Sequence, residues 1–238
     1  MDNNIQFSQA GQQTGAVSKT FLSSVFSWMA TALGISGIIA YLFGTDASLL
    51  SYLVSETTGM TGLGYFVLFA PIGLVIVMSW ARERLSFTAM TGLFLVYAVM
   101  MGMSLSFIFI IYSMGSIASV FAISAGMFGV MAVLGYTTNT DLTKLGTLLM
   151  MALIGIIIAS VVNAFMHSSQ MSYIISFISV IVFTGLTAYD VQKLKNMGAQ
   201  VEYGTESTAK LAILGALTLY LDFINLFLAL LRMFGSRD

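Results

Sequence analysis

Residues 145–166 read LGTLLMMALIGIIIASVVNAFM, without a single charged side chain. In hydrocarbon there is no water to bond backbone N–H and C=O groups, so such a run closes its own hydrogen bonds as a helix. Its length suits a bilayer core of roughly 30 Å. Comparable runs lie at about 20–43, 62–80, 86–112, 115–135, 171–192 and 209–233. A barrel is excluded, because its strands would be about half as long. The reading is an all-α polytopic membrane protein with seven transmembrane helices. Residues 1–19 form a polar cytoplasmic tail without structure of its own, and 20–238 form one membrane domain.

Composition agrees. Of 238 residues, 58% are hydrophobic and only 8% are charged, against about a quarter in soluble domains. Mean hydropathy is +0.94. There are too few ionic groups to wet a globular surface, so a soluble enzyme is excluded, and the expectation is a non-enzyme. A net charge of −1 argues against a nucleic-acid partner. With no cysteine and one histidine, there is no disulfide framework, thiolate site or histidine cage. The seventeen methionines read as pliable packing. No resident cofactor is expected.

The tail lacks the basic start and early apolar stretch of a secretory signal. With the N-terminus inside, Lys19, Arg82, Arg84, Lys144, Lys193, Lys195 and Lys210 fall on the cytoplasmic side. Arg232 and Arg237 fall outside, with the C-terminus, and the 44–61 loop carries Asp46 and Glu56 but no cation. That is a positive-inside bias with the N-terminus cytoplasmic. A single helix over 86–135 would be about 75 Å long, so a tight turn is required at Tyr112–Ser116. Pro71 predicts a kink in the second span. Gly34, Gly37, Gly126, Gly129, Ala212 and Ala216 stand at helix-packing spacing.

Asp222 stands out. It lies in Leu219-Tyr220-Leu221-Asp222-Phe223-Ile224-Asn225, and the nearest cation, Arg232, is about 15 Å away along a helix. An aspartate near the bilayer centre costs about 3 kcal/mol, so it belongs in the bundle interior, with Asn225 on its face. The plainer alternative is a protonated or structurally paired acid. Asp190, in Tyr189-Asp190-Val191-Gln192-Lys193, has Lys193 at i+3 and reads equally well as an interfacial ion pair. Counted from the flanking lysines, the two aspartates differ in depth by about 13 Å. They meet only if the last helix begins with a turn or two of cytosolic helix around Lys210. Two carboxylates in one dry site cannot both ionise; such a pair holds one proton, and its oxygens attract a hard cation such as Ca²⁺. Arg82 reads either as a positive-inside anchor after Trp80 or as a counter-ion snorkelling to a carboxylate. Asn163 reads as an interhelical hydrogen-bond donor, His167 as a solvated loop residue, and Thr140 or Asp141 as a helix cap.

These residues carry a resemblance. Thr184-Gly185-Leu186-Thr187-Ala188-Tyr189-Asp190-Val191-Gln192-Lys193, Leu219-Tyr220-Leu221-Asp222-Phe223-Ile224-Asn225-Leu226-Phe227 and Thr140-Asp141-Leu142-Thr143-x-Leu145-Gly146 are similar to the Bax inhibitor-1 family, bacterial branch, over nearly all of 20–235. The resemblance implies a central last helix wrapped by the other six, and an Asp190–Asp222 pair acting as a pH sensor on the ion pathway. It implies Arg82 as the latch, and a calcium leak across the membrane. Tyr189 and Asn225 are the supporting polar residues, and calcium is a transient occupant at the aspartates. The second span has no acid before Glu83, whereas some bacterial members carry a glutamate there. Other bacterial relatives modulate the membrane protease FtsH, so a non-conducting regulator of membrane proteins is the alternative. An intramembrane aspartyl protease ranks lower, since Asp222 sits in Tyr-Leu-Asp and not in Gly-x-Gly-Asp. A retinal protein fails for want of a lysine inside the last span.

Overall fold

Serine, threonine and aspartate side chains set the starts of several helices, accepting from the N–H groups that a first turn leaves unbonded. The computed structural model describes residues 2–55, 59–202 and 204–236. Along the chain lie α1 (Asp2–Thr45), α2 (Ala47–Ser51), β1 (Val54–Ser55), β2 (Gly59–Met60), α3 (Gly62–Trp80), α4 (Phe87–Leu105), α5 (Ile108–Ile111), α6 (Met114–Thr137), α7 (Thr143–Met166), α8 (Ser169–Gly198) and α9 (Glu206–Phe234). Asp46 caps α2, Thr61 α3, Ser86 α4, Ser113 α6 and Ser168 α8. The strands are two residues each and pair antiparallel. Glu56 and Arg237 lie outside the described residues.

Seven stretches among the described residues are long and apolar enough to cross a bilayer: Ser18–Thr45, Gly62–Trp80, Phe87–Ile111, Met114–Thr137, Thr143–Met166, Ser169–Gly198 and Glu206–Phe234. The protein is an all-α polytopic membrane protein. The polar tail is not without structure: the helix runs from Asp2. Extending a formed helix is far easier than starting one, and this tail has no proline to stop it. Tyr112 and Ser113, both extended, separate the third span from the fourth. Pro71 is buried within α3, whose helical backbone continues through it.

The chain divides into two compact units, one of residues 1–112 and 200–217, the other of 113–199 and 218–238. The apolar pattern carries no mark of this division. In the first unit α4 packs against both α1 and α3. A Cβ at Gly102 would collide with Ile39 and the Ser36 carbonyl, and the rings of Phe94 and Tyr97 stack at 6.5 Å. In the second unit α8 packs against α6 and α7. Gly135 of α6 lies on the backbone of Ala188, and Gly146 of α7 lies on the ring of Tyr189. Phe121 and Phe128 of α6 set ring edges against Phe223 of α9.

The small residues divide unevenly. Ala212 and Ala216 are buried, but a Cβ at Gly34, Gly37, Gly126 or Gly129 would meet no neighbour within 4 Å. Those four glycines lie on open helix faces. Spacing alone cannot tell a face turned to a neighbour from one left open. Among the spans, α9 is the most enclosed, with 67% of its apolar window buried, and α7 the least, with 11%.

Candidate functional site

Asp190 lies about two turns before the end of α8, and Asp222 lies in the middle of α9. Both belong to the second unit, and only 8% and 5% of their surfaces are exposed. Their carboxyl groups lie within hydrogen-bonding reach of each other. Oδ2 of Asp222 finds no N–H or O–H donor among the described residues. Two carboxyl groups bond only when one of them brings a proton, because a carboxylate accepts and cannot donate. The structure also removes the apparent depth mismatch. α8 continues past Lys193 to Gly198, α9 starts at Glu206 with Lys210 in its second turn, and 199–205 connect them. A connection of that length reaches about 20 Å, more than the offset.

The pair opens on a cavity of about 630 Å³ between α7, α8 and the second half of α9. Ser160, Ser179, Thr218 and Asn225 add polar groups to its wall, and Lys193 and Arg232 also line it. Helix α8 is pinned beside Asp190. The Gln192 amide donates from Nε2 to the Thr140 carbonyl at 2.8 Å, and its Oε1 accepts from the Leu142 N–H at 2.9 Å. Lys195 donates from Nζ to the Tyr136 carbonyl at 2.8 Å and lies 5.2 Å from the centre of the Tyr136 ring. The α6–α7 connection is thereby fastened to α8 within two turns of the acid.

A family profile described as "Inhibitor of apoptosis-promoting Bax1" matches residues 18–238. The chain belongs to the Bax inhibitor-1 family. It is 46% identical over 220 residues to "Inner membrane protein YbhL" of Escherichia coli K12, covering 92% of each chain. An uncharacterised protein of Borreliella burgdorferi is 43% identical over 221 residues, covering 93% of this chain and 94% of its own. One from Rickettsia prowazekii is 41% identical over 219 residues, covering 92% and 90%.

In this family member the other candidate residues lie as follows. Arg82 belongs to the first unit, where its guanidinium pairs with Glu83 at 3.7 Å. Asn225 lines the cavity and turns its Nδ2 back to the Leu221 carbonyl of its own helix, at 2.8 Å. Tyr189 lines the same cavity with Lys193 Nζ 5.9 Å from its ring centre. Asn163 joins α7 to α8: its Nδ2 donates to Ser172 Oγ at 2.7 Å, and its Oδ1 accepts from the Ser168 N–H. His167 ends α7 in the left-handed region, with φ 51°.

Outside the spans, Asp46 caps α2, whereas the N-cap of α7 is Leu142, which makes no side-chain cap bond, so neither Thr140 nor Asp141 caps that helix. Asp141 precedes α7, and the Thr143 hydroxyl and N–H, both donating to Oδ1, hold its carboxyl below the ordinary carboxylate range. The Ser48 hydroxyl, helped by the N–H groups of Ser48 and Leu49, does the same for Asp46. The residue that sequence reasoning missed is Gln192. A large amide two positions from Asp190, at the end of an apolar run, was its available signal.

Proposed function

We propose that this protein is a pH-sensitive calcium leak of the bacterial inner membrane, with Asp190 and Asp222 as sensor and Arg82 as latch. The carrying observation is the carboxyl pair: two buried acids lie within hydrogen-bonding reach of each other beside a cavity, and Asp222 Oδ2 has no N–H or O–H donor among the described residues. A proton holds such a pair together, and its loss sets two negative charges against each other in a place of low dielectric. The family membership supports the reading, as does the printed name of the Escherichia coli relative for the membrane concerned. The N-terminus is cytoplasmic in this proposal, following the bias of lysine and arginine.

Calcium enters the proposal as cargo. Ca²⁺ takes six to eight oxygens, roughly, and two carboxyl groups supply four at most, so the pair suits passage better than storage. The protein acts here as a conduit and not as an enzyme. The test is calcium flux from loaded liposomes containing only this protein. Wild type is expected to pass calcium in a pH-dependent way, Asp222→Asn to lose the pH dependence, and Arg82→Gln to alter the closed state. A pure protein that passes no calcium at any pH overturns the leak, in favour of a non-conducting regulator of membrane proteins.

A further inference from the structure

The first unit holds a second, smaller cavity, of about 160 Å³, lined by Arg82, Glu83, Ser207, Lys210, Leu211 and Leu214. Two cations, one carboxylate and a hydroxyl meet there beside two leucines. We propose that this cavity binds a phosphate group, with an anionic lipid headgroup as its source.

Depth is the first argument. Arg82 lies two residues past the end of the apolar span Gly62–Trp80, and Trp80 is an exposed aromatic at that end. Tryptophan followed by arginine marks the level of the headgroups. Lys210 is held at the same cavity by donating from Nζ to the Leu85 carbonyl at 3.1 Å, and only 17% of its side chain is exposed. A fixed ammonium and a half-exposed guanidinium suit an anion that arrives from the membrane.

The second argument is the state of the cations. Glu83 stands 3.7 Å from Arg82, and Glu206 stands 3.8 Å from Lys210. Both separations exceed hydrogen-bonding distance, so the glutamates temper the charges without taking up their donors. Arg82 has five N–H donors in a planar fork suited to phosphate, and Ser207 adds a hydroxyl. Arg84 lies 6.0 Å from the centre of the Trp80 ring and does not line the cavity. Leu211 and Leu214 supply the apolar floor that a free phosphate has no use for and that an acyl chain does. Basic pockets between membrane helices that bind headgroups are built this way.

Native mass spectrometry of the full chain tests this, with phosphatidylglycerol and phosphatidylcholine as probes. Wild type is expected to retain phosphatidylglycerol in preference to phosphatidylcholine. Each cation removed should weaken that preference about fivefold. Arg82→Gln with Lys210→Gln should abolish it, while Lys144→Gln, with the same loss of charge elsewhere, should not. Arg82→Gln alone is the safeguard against misfolding, because that side chain is 53% exposed. Equal retention of the two lipids by wild type, or an unchanged preference in Arg82→Gln, overturns the proposal. Stabilisation by inorganic phosphate alone, lost in the same variant, overturns the lipid as source and gives the cavity to the free anion. None of these readouts depends on calcium flux, so the proposal stands or falls apart from the leak.

Discussion

Glu206 and Asp222 are carboxylates of one helix, α9, and they meet opposite surroundings. The Glu206 side chain is 59% exposed; its Oε1 accepts from the Phe87 N–H at the start of α4 and faces Lys210. Asp222 is buried, faces another acid, and finds no N–H or O–H donor for its Oδ2 among the described residues. At the rim, water, a helix N-terminus and a cation all share the work of settling a charge. In the middle of the span Asp222 meets another acid instead. A rim carboxylate is therefore nearly indifferent to loss, while the inner one is tied to its partner.

The sharpest way to break this contrast is Asp222→Ala. It should lower unfolding stability in detergent by about 2–3 kcal/mol, because Asp190 stays buried and loses the carboxyl it bonds. Asp222→Asn should recover most of that, since an amide donates to Asp190 without an added proton. An equal loss for both variants would end the case for the pair. Next in size is Gln192→Ala, which removes both bonds to the α6–α7 connection; a loss of about 1–2 kcal/mol is expected, with faster proteolysis at 137–143. Glu206→Ala should cost less, under about 1 kcal/mol by the same measurement. A larger loss there would mean the rim is not as forgiving as its exposure implies. The smallest effect belongs to Asp46 and Asp141, whose carboxyls are held below their ordinary range. Their contribution is present above a pH of about 4 and fades as pH falls through the lower folded values. Acid melting curves of Asp141→Asn and wild type should therefore converge at low pH and separate above it.

The seven spans were legible because hydrocarbon permits so few backbone solutions that hydropathy alone is decisive. Asp222 was legible for the same reason: an acid among leucines has few explanations. Its partner was legible only through the family resemblance, not from spacing. Depth counted from lysines assumes that they mark the membrane edge, yet α8 runs well past Lys193 and α9 begins before Lys210. Helix ends in water leave no hydropathic trace. The glycine pattern failed differently, since Gly126 and Gly129 sit on an open face while Gly135, one and a half turns on, bears the tight contact. Gln192 escaped notice because an amide's value lies in what it reaches, here two backbone groups some fifty residues away.

The contact of Gly135 with the backbone of Ala188 has a mechanical consequence. Where main chain rests on main chain there is no side chain to swing aside, while at the next position Gly146 meets the ring of Tyr189. This stretch of α8 has neither clearance to roll nor room to slide. Asp190 is thus mounted on a block made of three helices that meet at close range.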